Sequence, residues 1–112
     1  MANISALNKL LAQGQDSALL RFGLASAYLK AQPTGYLTSV ITHLTQCLAL
    51  DPTYTAAYTA LARAQIELAQ QSDAKRTLEL GIQQASLKKD LQAKKVMMVL
   101  LKRLEKTEPS GL

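Results

Sequence analysis

Apolar residues recur every three or four positions along almost the whole chain, and no stretch alternates with period two. The pattern predicts helices and no strands. Ile4, Leu7, Leu10 and Leu11 mark a short opening helix that Gly14 ends. Asp16 is expected to cap a second helix, its carboxylate accepting from free backbone N–H groups. That helix runs to about Ala31, where the "QPTG" segment at 32–35 breaks it. Thr34 is expected to cap a third helix carrying Leu37, Val40, Ile41, Leu44, Cys47 and Leu48. After "DPT" at 51–53, a fourth helix spans roughly 54–69. Ser72 is expected to cap a fifth, with Ala74, Leu78, Gly81 and Ile82 inward. Asp90 is expected to cap a sixth, with Ala93, Val96, Met97, Leu100, Leu101 and Leu104 on its buried side. Residues 108–112 are expected to fray. Short connections make successive helices pack antiparallel, so the fold class is all-α with about six helices.

The helices repeat. "LASAYLKAQ" from Leu24 resembles "LARAQIELAQ" from Leu61 at an offset of 37, aligning Leu29 with Ile66. The following helices align at an offset of 34: Val40 with Ala74, Leu44 with Leu78, Cys47 with Gly81 and Leu48 with Ile82. The difference places three extra residues in the first turn. Small residues at Ala25, Cys47, Ala62, Ala74 and Gly81 permit close helix approach. Leu24, Leu44, Tyr58, Leu61 and Leu78 fill the space between.

At these residues the chain resembles the tetratricopeptide repeat family. Tyr58 takes the large aromatic position, Leu61 and Ala62 the Leu-Gly pair, and Ala69 the small residue before the turn. Ala74, Leu78 and Gly81 take the Ala, Phe and final small positions, and Pro52 closes the preceding unit. Arg21, Gln65 and Ser86 depart from the pattern, standing where a large aromatic, a Tyr and a Pro belong. The resemblance implies an antiparallel helix-pair repeat, an α-solenoid, like small stand-alone bacterial members with a capping helix. Its divisions would be an opening helix at 1–15, units at 16–53 and 54–87, and a cap at 88–107.

Composition agrees with one globular domain: 112 residues, 48% hydrophobic and 19% charged. No apolar run reaches the roughly 20 residues that span a bilayer. The N-terminus lacks a basic flank before an apolar block, and Cys47 is a lone cysteine, so a cytoplasmic location is expected. Net charge is +5, and residues 86–112 carry +4 of it. Lys88, Lys89, Lys94, Lys95, Lys102, Arg103 and Lys106 outweigh Asp90, Glu105 and Glu108 there.

Catalytic chemistry is not evident. His43 is the sole histidine and has no second catalytic group near it in sequence. Cys47 falls on a packing position. No cluster has metal-ligand spacing and no glycine-rich phosphate loop exists, so no cofactor or metal is expected.

The resemblance implies a concave groove lined by the first helix of each unit. Its positions fall on Leu19, Phe22, Ser26 and Lys30, then on Ala56, Thr59, Arg63, Ile66 and Glu67. The sixth helix would close the groove with Lys95, Lys102 and Val99. Phe22 and Thr59 stand where the family's carboxylate clamp uses Lys, and Ser26 and Arg63 where it uses Asn, so that clamp is not expected. The expected function is a non-catalytic adaptor that binds a peptide or helix of a partner protein. Leu7, Leu10 and Leu11 offer a competing occupant, the chain's own first helix. The alternative function is nucleic-acid or acidic-partner binding through the basic sixth helix. The expected state is a monomer or a weakly self-associating chain, not membrane-bound.

Overall fold

The structure, a computed structural model, describes residues 3–107. Six helices follow in order: α1 Ile4–Ala12, α2 Ala18–Ala31, α3 Tyr36–Leu50, α4 Thr55–Glu67, α5 Gln71–Lys88 and α6 Leu91–Thr107. No strand occurs among the described residues. Each helix packs on its neighbours in sequence, and α4 also meets α6. The radius of gyration is 14.6 Å, against about 13 Å for a compact domain of this length. The excess reflects helix pairs stacked along one direction.

Two apolar clusters hold the stack. The first contains Ala25, Val40, Leu44, Cys47, Ala57, Leu61 and Ala64. The second contains Tyr58, Ala62, Ala74, Leu78, Ala85, Met97 and Leu104. The central helix α4 serves both: Ala57, Leu61 and Ala64 face one way, Tyr58 and Ala62 the other. Large side chains alternate with small ones, so the backbones approach closely.

The joints have local causes. Pro52 follows α3 and cannot donate a backbone N–H. Asp51 Oδ1 accepts from the Thr53 N–H at 3.0 Å and from the Thr53 hydroxyl at 2.6 Å. Tyr58 then donates its hydroxyl to the Pro52 carbonyl at 2.6 Å, tying the core aromatic to the joint between repeats. Besides α2, which ends at left-handed Gln32, three helices end in a left-handed residue, at Gly14, Ala69 and Lys89. In each, the next N–H reaches back five residues: Gln15 to Leu10, Gln70 to Gln65 and Asp90 to Ala85.

Three expected caps are corrected. Ser17, not Asp16, caps α2, its Oγ accepting from the Leu20 N–H at 3.1 Å. The Asp16 carboxylate is instead taken by the Arg21 guanidinium in two bonds of 2.8 and 3.0 Å. Thr34 does not cap α3, because left-handed Gly35 (φ 74°) leads straight into it with no side-chain cap. Ser72 lies inside α5, which starts at Gln71 as the Ala69 turn closes. The fourth helix ends at Glu67 rather than 69, because Ala69 is left-handed. Asp90 does cap α6, accepting from the Ala93 N–H at 3.2 Å. The expected fraying of 108–112 lies outside the described residues.

Candidate functional site

On α4, Ala56, Thr59, Ala60, Arg63, Ala64 and Glu67 fall at helical spacing along one side. Four of them, Ala56, Thr59, Ala60 and Ala64, carry short side chains that leave space between α4 and its neighbours. A hollow of about 530 Å³ results, open to solvent and mainly apolar. Leu29 of α2 and Leu37 of α3 wall it from the first repeat. Gln92, Ala93 and Val96 of α6 wall it from the other side.

Asp90 sets the position of that second wall. One carboxylate oxygen caps α6 at Ala93, and the other accepts from the Thr55 hydroxyl at 2.8 Å. The start of α6 is thereby tied to the start of α4. Those two hydrogen bonds hold the Asp90 carboxyl below its ordinary range. At the far end, Arg63 and Glu67 are exposed on successive turns of α4.

Of the residues expected in the groove, Thr59, Arg63 and Glu67 line this hollow, as does Ala56. Leu19, Ser26 and Lys30 are exposed on α2 but are not among its lining. Phe22 is turned inward, with its ring 5.0 Å from that of Tyr54, and packs on the first cluster. Ile66 borders a second, smaller hollow with Leu100, Leu104 and Arg103. Lys95 and Lys102 are exposed on α6 and line neither. Gln92, Ala93 and Val96 line the hollow from α6 in their place. Leu29 is not among the expected groove positions, yet the 37-residue offset maps it onto Ile66, which is. The first helix takes no part: α1 lies on α2, with Leu7 against Gly23, and lines no part of the hollow.

The two reactive side chains are held in structure. His43 is buried, stacks on Tyr28 at 5.6 Å, and accepts at Nδ1 from Arg21 at 3.1 Å. Burial and then the Arg21 charge lower its pKa. Cys47 is fully buried, and burial raises its thiol pKa. Among the described residues no group of three or more His, Cys, Asp or Glu is placed to hold a metal. No helix of the described residues is long and apolar enough to cross a membrane.

Comparison with known proteins agrees with this geometry. Residues 37–95 match the tetratricopeptide repeat family. The TPR repeat-containing protein PA0015 of Pseudomonas aeruginosa is 38% identical over 103 residues, 92% of this chain and 95% of that protein. The solution structure of protein BPP2914 from Bordetella parapertussis superimposes with a TM-score of 0.77 at 31% identity. That match covers 95% of this chain and 90% of the other. Paired helices, a register that repeats, and likeness along nearly the whole length lead to one assignment: the chain belongs to the tetratricopeptide repeat family.

Proposed function

We propose that this chain is a non-catalytic, cytoplasmic interaction module that binds a peptide segment or helix of a partner protein in the hollow between α2, α4 and α6. The observation that carries the reading is the hollow itself. Alanine methyls at Ala56, Ala60 and Ala64 form its base, and Leu29, Leu37 and Val96 give it apolar walls. Arg63 and Glu67 offer a charge of each sign at one end. Such a site suits one or two apolar anchor side chains beside an acidic group that meets Arg63. Tetratricopeptide repeats generally mediate protein–protein interaction, which supports the same reading.

The nucleic-acid alternative has less behind it. Phe22, Tyr28, Tyr36 and Tyr54 pack on the first cluster and Tyr58 lies in the second, so no aromatic is presented for base stacking. Lys88 already donates to the Thr53 carbonyl at 2.8 Å.

The test is affinity capture from the native cell with the wild type and an Ala56→Trp/Arg63→Glu variant. Both positions are exposed, so the variant fills and recharges the hollow without opening the core. Proteins lost only from the variant are ligands of the hollow. Identical captures from the two baits would defeat the reading.

A further inference from the structure

The outer side of α6 carries a stripe that neither core cluster nor hollow uses. Leu91, Met98 and Val99 are 66%, 50% and 50% exposed. Leu91, Lys95, Met98, Lys102 and Lys106 succeed one another at three- and four-residue steps, and all are exposed. They therefore run down one side of the helix for about 22 Å at 1.5 Å per residue.

This stripe is cationic. Within α6, Lys94, Lys95, Lys102, Arg103 and Lys106 face the single acid Glu105. Lys95, Lys102 and Lys106 have no hydrogen-bond or ion-pair partner among the described residues. A terminal helix that served only solubility would be polar throughout its outer side. Here large apolar side chains stand between cations that are unpaired among the described residues, on the outer side of the last described helix.

We propose that this face docks an acidic amphipathic helix of a partner protein, laid against α6 where a further helix of the stack would lie. Its apolar side chains cover Leu91, Met98 and Val99, and its carboxylates meet Lys95, Lys102 and Lys106. The surface is separate from the hollow, since none of these six residues lines it.

Other occupants fit less well. A second copy of the chain would set lysine against lysine across a two-fold axis. Nucleic acid would satisfy the lysines but leave the three apolar side chains against phosphate, with no aromatic to stack on bases. An anionic membrane rewards deep apolar insertion, but α6 is held along its inner side by Met97 and Leu104 and presents no aromatic anchor.

The experiment titrates the isotope-labelled full chain with a synthetic acidic helix of about 18 residues, bearing a leucine stripe flanked by glutamates. A scrambled peptide of the same composition, a short DNA duplex and vesicles containing phosphatidylserine are the comparators. The proposal expects amide shifts confined to the outer side of α6 and affinity for the striped peptide at least about tenfold above the scrambled one. It expects Lys95→Glu/Lys102→Glu to weaken binding about tenfold or more. Met98→Gln/Val99→Gln, which leaves the charge intact, should also weaken it, whereas Ala56→Trp/Arg63→Glu should leave it unchanged. Circular dichroism confirms that each variant is folded. Equal binding of the two peptides, binding of neither, shifts in the hollow, or tighter binding of duplex or vesicles overturns the proposal.

Discussion

Gly81 of α5 lies directly against Tyr58 of α4. A Cβ built on Gly81 would fall 2.6 Å from Tyr58 Cβ and 2.9 Å from Tyr58 Cγ, and would also run into the Met97 sulfur of α6. Three helices therefore meet at a position with no side chain. Gly81→Ala tests this contact. Helix propensity alone favours alanine by about 1 kcal/mol, whereas overpacking costs about 1–3 kcal/mol. The net expectation is destabilisation, measured by urea unfolding, because Tyr58 Cβ and Cγ lie at the root of their side chain and cannot swing aside. A more stable Gly81→Ala would mean that the helices separate freely there.

The opposite sign is expected at Ala69, which holds φ 59° at the end of α4. An L-residue in that region costs about 1–2 kcal/mol. Glycine removes this strain but gives back about 0.4–1 kcal/mol through a freer unfolded chain. Ala69→Gly is thus expected to stabilise by about 0.5–1 kcal/mol. A loss in the same unfolding measurement would show that the left-handed turn is not under strain.

These two positions show what the sequence displays and what it conceals. The alternation of Ala62 and Gly81 with Tyr58 and Leu78 is visible because close packing demands small residues at fixed helical spacing. The inward side of α6, with Ala93 and Val96, is visible in the apolar period, but that it walls a hollow over α4 is not, because this depends on Asp90 meeting Thr55 across 35 residues of chain. Gln92 joins that wall and Lys95 does not. Asp16 does not cap α2 for a local reason. Asp16 and Ser17 are both suitable cap residues, and the choice depends on Arg21, which claims Asp16. Phe22 falls on a groove position by repeat register, yet its ring packs on that of half-buried Tyr54.

His43 gives the fold a pH dependence with a definite sign. Its folded pKa lies below the ordinary value, first through burial and then through the Arg21 charge, partly opposed by Asp16. The unfolded chain therefore binds the proton more readily. The stabilising contribution is full above about pH 6.5, the unfolded value, and is lost as pH falls through the lower folded pKa. Carboxylates with lowered pKa add losses of the same sign, but only near and below about pH 4. Melting temperature should decline between about pH 6.5 and 5 in the wild type and less in His43→Gln. Parallel profiles would remove His43 as the cause.

Gln65 departs from the family pattern, and Thr77 accounts for it. The Thr77 hydroxyl donates to Gln65 Oε1 at 2.8 Å, and both residues are buried. Thr77→Val leaves that oxygen without its donor, at an expected cost of about 1–3 kcal/mol. Gln65→Met/Thr77→Val replaces the pair with apolar groups and should recover much of the loss. A double-mutant cycle reads the coupling. Additive effects would show that the two side chains act independently.

Asp90 performs two tasks that separate variants can distinguish. Thr55→Val removes the tie to α4 but leaves the Ala93 cap, whereas Asp90→Ala removes both. Amide exchange in the first turn of α6 should accelerate strongly in Asp90→Ala and little in Thr55→Val. Peptide binding in the hollow should weaken in both, because each frees the wall formed by Ala93 and Val96. The carboxyl is held below its ordinary range, so the cap persists above about pH 4 and is lost as pH falls through the lower folded value. Exchange in that turn should therefore rise on acidification beyond its intrinsic pH dependence in the wild type, and not in Asp90→Ala. If Thr55→Val frays the turn as much as Asp90→Ala, the tie rather than the cap holds α6. If neither variant frays it, packing of Met97 and Leu104 alone fixes the helix.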